Sequence, residues 1–236
     1  WGHDEYGGNS DEIAPLLRPN TDKEKTDFEG REVVKIYSSG YAFAALRRDG
    51  SVVTWGDDRY GGDSSNVEDE LRSKYTSKTI KIYSTGEAFA ALKEDGSVVT
   101  WGDDEYGGDS RPYNKDIVQN GIRESFSTIA SGVVKIYATN RAFAALKDNG
   151  SLVTWGGSFY GGDSRPYNDV LGSDAYNLYG IVGGGSVKNG VVEVCVSNNV
   201  AFVARKDDGS VVTWGNNANP GSNIPDKFLM ESANKI

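Results

Sequence analysis

The sequence predicts an all-β fold, a β-propeller of tandem repeats whose antiparallel blades are joined by long variable loops. Three observations support this. The 236 residues include 30 glycines and 13 tyrosines but a single methionine, a composition that favours turns and strands over long helices. Four segments of the chain align with one another without a gap. Each segment carries a turn motif between two apolar runs, as expected for a hairpin.

The internal repeat organises the whole chain. The same number of positions separates the first strand from the tryptophan in every copy, whereas the stretch from each tryptophan to the next copy varies in length. Insertions are therefore expected only between the copies. We interpret residues 1–236 as a single repeat array with partial repeats at both ends, and we expect it to be part of a longer chain. The predicted repeat cores are about 33–56, 79–102, 133–156 and 192–215.

Each core predicts two strands, a tight turn and a third strand. The turn motif lies between the second and third strands, and its glycine accepts the positive φ that a tight hairpin turn requires. The copies of this motif are Asp49-Gly50, Asp95-Gly96, Asn149-Gly150 and Asp208-Gly209.

The middle strand of each core is apolar on both sides. In the first copy Ala42, Ala44 and Leu46 share one face, and Phe43 and Ala45 share the other, because side chains alternate along a strand. Both faces therefore need cover. Sheets stacked face to face, as in a propeller, supply that cover. A β-sandwich would show a cleaner alternation of apolar and polar residues, which makes it the weaker alternative.

The motif ALKEDGSVVTWGDDEYGG at residues 91–108 resembles the signature of the regulator of chromosome condensation repeat family. The resemblance extends over nearly the whole chain and implies a β-propeller. It implies little about function, because similar propellers serve as nucleotide exchange factors, ubiquitin-ligase accessory domains, enzyme inhibitors and scaffolds. The parts of the sequence that carry it are Asp49–Gly56 with Tyr60–Gly62, Asp95–Gly102 with Tyr106–Gly108, and Asn149–Gly156 with Tyr160–Gly162.

The fourth copy and the two ends depart from the pattern. Arg205 stands where the other copies have leucine, so we expect that face to be partly open or the charge to be paired. The segment WGHDEYGGNS at the start matches the stretch after each tryptophan, and Lys235-Ile236 matches the start of a core. We expect a closing blade from residues outside this sequence, from another chain, or from pairing of the termini.

Few residues in the chain could carry catalysis. His3, the single histidine, aligns with Asp57 and Asp103 in a repeated loop, and a histidine-based triad is therefore not expected. Cys195, the single cysteine, aligns with Ile36 and its counterparts, so we interpret it as a small core residue. No zinc-binding or phosphate-binding motif is found in the sequence. We predict that the protein is not an enzyme and has no cofactor.

Acidic turns flank the Tyr-Gly-Gly element in the first two copies. Grouped carboxylates could coordinate calcium, and paired carboxylates could in principle hydrolyse glycosides. Aspartate and serine are also ordinary turn residues, and the third copy has Gly157-Ser158 at this place. We therefore favour a turn role and predict no metal site. The acidic turn residues are Asp57, Asp58, Asp63, Asp103, Asp104 and Asp109.

Two groups of residues are candidates for binding. Tyrosines recur after each tryptophan, and tyrosine is favoured at recognition surfaces, although a structural corner before Gly-Gly explains them as well. The tetrapeptide Arg-Pro-Tyr-Asn also occurs in two inserted loops, where partner contacts are expected. The candidate binding residues are Tyr60, Tyr106, Tyr160, Arg111, Tyr113, Arg165 and Tyr167.

The sequence therefore predicts a protein-interaction or scaffolding propeller that is a segment or subunit of a larger assembly. The alternative is a lectin-like carbohydrate-binding propeller. A formal net charge of −9 repels the phosphates of nucleic acids, so nucleic acid is not an expected partner. No apolar run is long enough to cross a bilayer. The compartment is not predicted.

Overall fold

The computed structural model describes residues 3–11, 13–17, 30–72, 76–110, 129–162, 187, 189–197 and 199–215. In this part of the chain, twelve strands form four three-stranded antiparallel sheets of the propeller-blade type. The middle strand of each sheet pairs with the strands before and after it. The strands are β1 (Val33–Ser38), β2 (Ala42–Arg47), β3 (Val52–Gly56), β4 (Thr79–Ser84), β5 (Ala88–Lys93), β6 (Val98–Gly102), β7 (Val133–Ala138), β8 (Ala142–Lys147), β9 (Leu152–Gly156), β10 (Val191–Ser197), β11 (Ala201–Lys206) and β12 (Val211–Gly215).

Helical structure in the described ranges is limited to single turns. No helix there is long and apolar enough to span a membrane. The α-helical turns are α1 (Ala14–Leu17) and α2 (Glu68–Leu71), and the 3-10 turns are Asp4–Tyr6, Asp58–Tyr60, Ser65–Val67, Asp104–Tyr106 and Ser158–Tyr160.

The chain divides into two compact units. Unit 1, Trp1–Asp109, contains the first sheet (β1–β3) and the second sheet (β4–β6). Unit 2, Ser110–Ile236, contains the third sheet (β7–β9) and the fourth sheet (β10–β12). The strands of the four sheets begin and end within a residue of the predicted repeat cores.

The hairpin between β2 and β3 shows why the Asp-Gly motif marks the turn. Gly50 has a φ of +86°, which glycine adopts without steric cost. The Asp49 carboxylate accepts hydrogen bonds from the Ser51 backbone N–H at 2.8 Å and from the Ser51 hydroxyl at 2.7 Å. An aspartate side chain that bonds the backbone two residues on stabilises a turn.

In unit 1 the first and second sheets pack face to face, with small residues against large ones. We call the face of each sheet that carries its large aromatic residues the leading face, and the opposite face the trailing face. The contact buries the trailing face of the first sheet and the leading face of the second. Alanines in the trailing face allow the two sheets to approach closely. The trailing face of the first sheet consists of Ala42, Ala44 and Leu46, and the leading face of the second sheet of Ile82, Phe89 and Trp101.

Backbone hydrogen bonds also join the first and second sheets. The Gly40 N–H donates to the Gly86 carbonyl at 2.7 Å, and the Thr79 N–H donates to the Gly50 carbonyl at 3.2 Å. The loops at both ends of the first sheet therefore hold the second sheet.

Unit 2 repeats this arrangement. Ala142 and Ala144 of the third sheet pack against Val194, Phe202 and Trp214 of the fourth sheet. The same type of interface is thus built twice from the same repeat positions.

A buried lysine fixes the inserted segment that contains α2. The Lys93 side chain extends from β5 and is 3% exposed. Its ammonium group donates to the Glu70 carbonyl and to the Thr76 hydroxyl. Burial lowers the pKa of Lys93 below its usual value, against the opposing effect of Asp95 and Glu70. The two bonds provide the partners that a buried ammonium group requires.

The fourth sheet does not follow the predicted register, and the expectation for Cys195 was wrong. Cys195 pairs with Val203 and is only partly buried, whereas Val194 pairs with Ala204 and is 4% exposed. Val194, and not Cys195, thus takes the core position that Ile82 occupies in the second sheet.

The shift arises in the loop between β10 and β11. Asn199 has a φ of +58°, a left-handed conformation that asparagine tolerates better than most residues. The Val200 N–H donates to the Ser197 carbonyl at 3.0 Å, and Ser197 pairs directly with Ala201. In the first sheet the corresponding last pair is Ser38 with Phe43. The loop between β10 and β11 is therefore one residue shorter than the loop between β1 and β2.

The expectation for Arg205 is confirmed. Arg205 pairs across the strands with Glu193, and its Nε lies 3.3 Å from a Glu193 carboxylate oxygen. The two side chains are 28% and 29% exposed. The position is therefore both partly open and charge-paired, which avoids the cost of an isolated buried charge.

Candidate interaction surface

The Tyr-Gly-Gly elements of the first three sheets each form a 3-10 turn directly after the third strand. In the first sheet, Asp57 precedes the turn and its carboxylate accepts a hydrogen bond from the Arg59 N–H at 3.1 Å. In the second sheet, Asp103 accepts from the Glu105 N–H at 2.8 Å. These two aspartates have the turn role that the sequence favours.

The tyrosine backbone of each turn is held by its own sheet. A serine or threonine begins the loop between the first two strands of each of these sheets. Its hydroxyl donates to the tyrosine carbonyl and accepts a hydrogen bond from the backbone N–H of the alanine three residues later in the chain. The turn is therefore fixed before any partner binds. The donor hydroxyls are those of Ser39 to Tyr60 at 3.5 Å, Thr85 to Tyr106 at 3.0 Å, and Thr139 to Tyr160 at 2.9 Å.

The glycines after the tyrosine have a packing role. Gly61 has a φ of +100°, and a Cβ placed on it would lie 2.7 Å from the Phe89 ring of the next sheet. The Trp101 indole N–H donates to the Gly61 carbonyl at 3.2 Å. Phe89 and Trp101 stack with their ring centroids 5.3 Å apart. Gly61 therefore joins the turn to the next sheet, and the role of the tyrosine side chains stays a prediction.

In unit 1 the tyrosine side chains form a continuous aromatic surface. We call His3, Tyr6, Tyr41 and Tyr60 the tyrosine cluster. Successive ring centroids lie 4.9 Å, 5.1 Å and 4.9 Å apart along that order. Tyr6 is 44% exposed, His3 is exposed, and Tyr41 and Tyr60 are half-buried. The cluster thus combines fixed backbones with accessible rings.

Charged residues border the tyrosine cluster. The Arg59 guanidinium lies 5.0 Å from the centre of the Tyr60 ring, within the range of a cation–π contact. Arg59 also contacts the Asp57 carboxylate at 2.9 Å. This hydrogen bond lowers the pKa of Asp57 and raises the pKa of Arg59 relative to their usual values. Asp4, Glu5 and Asp58 are exposed on the same turns.

The cluster is not repeated in the other described sheets. The position of Tyr41 is occupied by Glu87 in the second sheet and by Arg141 in the third. The Arg141 guanidinium lies 5.2 Å from the centre of the Tyr160 ring, and Phe159 lies 5.4 Å from the same ring. The tyrosines that the sequence treats as equivalent therefore have different neighbours.

Tyr41 is absent from the binding residues that the sequence pattern predicts, and the pattern gives His3 only a loop role. Tyr41 precedes the Ala-Phe pair at a position that varies between copies, which conceals it in an alignment of repeats. A signal was available, because a variable position directly before a constant strand is a typical place for recognition. The other predicted binding residues, Arg111, Tyr113, Arg165 and Tyr167, lie outside the described residues.

The candidate surface has the chemistry of recognition. Among the described residues, no three histidine, cysteine or acidic side chains lie close enough to bind a metal ion. Tyrosine rings supply large contact areas with a hydroxyl at the edge.

Comparison with known families identifies one of the repeats. Residues 33–61, which comprise the first sheet and its turn, match the Regulator of chromosome condensation (RCC1) repeat. This match agrees with the resemblance of the sequence motifs. No curated protein matches the chain in sequence.

Solved structures with a similar arrangement include the following three, each distant in sequence. Human WBSCR16 is 20% identical, with 81% of this chain and 49% of that chain covered and a TM-score of 0.44. Yeast RCC1 (Prp20), crystallised with Kap60, is 17% identical, with coverages of 78% and 44% and a TM-score of 0.44. The ectodomain of the Physcomitrella patens receptor kinase CR4 is 17% identical, with coverages of 78% and 41% and a TM-score of 0.43. The chain spans about half the length of these proteins or less.

Proposed function

Because residues 33–61 match the regulator of chromosome condensation repeat, we propose that the chain is a non-enzymatic protein-interaction module of a larger assembly. It recognises its partner through the tyrosine cluster. The observation that supports this most directly is the continuous contact of Tyr6, Tyr41 and Tyr60 at the surface. Rigid aromatic residues bury large areas at a low cost in side-chain entropy.

The position of the cluster suits recognition. Tyr41 lies in the loop between β1 and β2, and Tyr60 lies in the turn after β3. Both loops are fixed to the first sheet through Ser39. Because these loops are already ordered, binding of a partner there loses little conformational entropy, which favours affinity.

Electrostatics narrows the type of partner. The chain has a formal net charge of −9, and the exposed residues beside the cluster include Asp4, Glu5 and Asp58. Such a surface attracts proteins with a basic face and accelerates their association at low ionic strength. The partner is therefore expected to present lysine or arginine side chains to the tyrosine rings.

Native mass spectrometry of the protein purified from its source tests the proposal. A stoichiometric protein companion is expected in the wild type and is expected to be lost on Tyr41→Ala. Tyr83→Ala is the matched control, because Tyr83 is also half-buried but packs against Lys81 on β4, away from the cluster. Equal retention of the companion by both variants would contradict a role for the cluster.

A glycan array distinguishes the carbohydrate alternative. Binding to a defined glycan that is lost on combined Tyr60→Ala and Tyr106→Ala substitution would replace the protein-interaction proposal. A blank array together with a Tyr41-dependent protein companion supports it.

A further inference from the structure

The first strand of each sheet carries the same irregularity near its start. In the first sheet the pairing with β2 shifts between Val33 and Lys35, so Val34 lies at a β-bulge. The pairing shifts at the same place in the other three sheets. A bulge takes a residue out of the regular pairing and redirects its side chain. One residue of each first strand is therefore released from its sheet.

The residue at the bulge is apolar and about half exposed in every sheet. Val34 and Val192 are 48% exposed, Ile80 is 54% exposed and Val134 is 55% exposed. The exposure is similar in all four sheets, so it does not depend on where a sheet lies in the chain. Single exposed apolar residues are ordinary, but a β-branched residue that recurs at the same bulge indicates a shared use.

An exposed lysine follows the bulge residue in the first three sheets. The Lys35 ammonium group lies 4.9 Å from the centre of the Tyr37 ring, and the Lys81 ammonium group lies 4.8 Å from the centre of the Tyr83 ring. Both lysines are exposed and both tyrosines are half-buried. A cation–π contact orients the ammonium group without neutralising its charge. The lysines are thus held in place and keep their charge.

Unit 1 brings two of these first strands together. The Ser84 hydroxyl donates to the Ser38 carbonyl at 2.7 Å and joins the end of β4 to the end of β1. The Thr79 N–H donates to the Gly50 carbonyl at 3.2 Å, which holds the start of β4 against the first sheet. We call the exposed residues of these two strands near their bulges the first-strand surface: Val34, Lys35, Ile80 and Lys81.

The first-strand surface is basic, in contrast to the chain as a whole. Neither β1 nor β4 contains an acidic residue, and Glu32, just before β1, pairs with Arg48 at 3.4 Å. No ion pair within the described ranges involves Lys35 or Lys81. Exposed charges more than about 8 Å apart are largely screened at physiological ionic strength. The two lysines therefore outweigh the net charge of −9 for a ligand bound beside them.

Bulges and lysines also keep an edge strand from pairing with other strands. In the described residues β1 and β4 each pair on one side only, so this role accounts for Lys35 and Lys81. It does not account for Val34 and Ile80, because exposed apolar residues on an edge strand favour association. We propose that the first-strand surface docks an acidic segment of another protein, whose carboxylates contact the two lysines and whose apolar side chains cover the valine and the isoleucine.

Fluorescence anisotropy at low ionic strength tests the charge of the ligand, with a labelled synthetic peptide of alternating glutamate and valine as the probe. Lys81→Glu is expected to weaken binding about fivefold or more, because an attraction becomes a repulsion. Arg59→Glu changes the net charge equally at the tyrosine cluster and is expected to alter the affinity by less than about twofold. Equal losses would indicate a response to overall charge. A loss with Arg59→Glu alone would place the peptide at the tyrosine cluster. Either result would overturn the proposal.

A second pair of variants tests the apolar part of the surface. Ile80→Ser is expected to weaken binding of the same peptide about threefold or more, because the substitution removes apolar contact area. Val192→Ser is the matched control. Val192 lies at the same bulge, but Glu193 follows it where the other sheets have lysine, so an acidic peptide is repelled there. The control is expected to bind within about twofold of the wild type, and equal losses for the two variants would contradict the proposal. All these substitutions affect exposed side chains, so the variants are expected to fold.

Other ligands distinguish an acidic protein segment from a simple anion. A peptide of alternating glutamate and serine has the same charge and is expected to bind about fivefold more weakly than the valine peptide. Equal affinity of the two peptides, or tighter binding of a single-stranded oligonucleotide, would overturn the proposal, as would the absence of peptide binding at low ionic strength. The proposed function is tested with another variant and another readout, so the two proposals fail separately.

Discussion

The indole N–H of Trp101 donates to the carbonyl of Gly61 across 3.2 Å and so joins the second sheet to the turn after the first. The same bond joins Trp214 to Gly161 at 3.0 Å in unit 2. Because each turn is also held by a hydroxyl of its own sheet, a single short segment links consecutive sheets. The interface between repeats therefore depends on the turns as well as on apolar packing.

Removal of the indole N–H is expected to destabilise unit 1. Trp101→Phe keeps an aromatic ring but leaves the buried Gly61 carbonyl without this donor, which costs about 1–3 kcal/mol in addition to the lost ring volume. Urea denaturation followed by circular dichroism measures the effect. Trp55→Phe is the matched control and is expected to cost less, because its bond to Gly7 is only partly buried. Equal costs for the two variants would contradict the importance of burial.

Substitution of Gly61 tests the close approach of the turn to the next sheet. Gly61→Ala combines a φ of +100° with a Cβ 2.7 Å from the buried Phe89 ring. Gly209→Ala has a φ of +83° with nothing within 4 Å, so it measures backbone strain alone, about 1–2 kcal/mol. We expect Gly61→Ala to cost at least about 1 kcal/mol more. Similar thermal unfolding midpoints for the two variants would show that the ring moves aside freely.

The hairpin aspartates are expected to make stability depend on pH in the acidic range. Hydrogen bonds from the Ser97 hydroxyl and N–H lower the pKa of Asp95 below its usual value. A carboxylate with a lowered folded-state pKa contributes stability that is fully present above its unfolded pKa of about 4 and is lost as the pH falls through the folded value.

Asp95→Asn separates the charge from the turn geometry. The third sheet has asparagine at this place, and Asn149 accepts the same two bonds from Ser151 at 3.0 Å and 2.7 Å. The variant is therefore expected to fold normally and to lose less stability than the wild type between neutral pH and about pH 3. Unfolding midpoints measured across this range test the expectation, and identical pH profiles would disprove it.

The ion pair of the fourth sheet is expected to contribute modestly. Arg205→Leu restores the residue found in the other three copies, and Glu193→Gln removes the opposing charge without creating a new charged contact. Because the pair is partly exposed, a double-mutant cycle should give a coupling energy of about 0.2–1 kcal/mol. The double variant should lose less stability than the sum of the losses measured for the two single variants. A coupling energy of zero would mean that the pair is adventitious.

The sheets could be predicted from the sequence because their signals are local and repeated. Asp49-Gly50 and its counterparts mark the hairpins, and the apolar residues on both faces of the middle strand require cover on both sides. Trp101 and Phe89 also lie where this pattern places them, in the buried contact between sheets. These features depend on residues that are close together in the chain and that occupy the same positions in each copy, so aligning the copies identifies them correctly.

The candidate site could be predicted only in part. Tyr60 was identified from its recurrence, but its contact with Tyr41 depends on the packing of two loops of the first sheet. The contact of Tyr41 with Tyr6 further depends on the segment that precedes the first sheet. Such contacts join residues that are distant in sequence and variable between copies, so neither spacing nor recurrence reveals them.

The one-residue shift of β10 has a practical consequence for the design of consensus repeats. A consensus taken column by column would average Cys195 with Ile36, Ile82 and Ile136, although Val194 takes the core position. It would also combine the tight Asn199 turn with loops of a different length. A repeat sheet built from the fourth copy should therefore keep β10 together with the loop that follows it, because the shifted register and the Asn199 turn depend on each other.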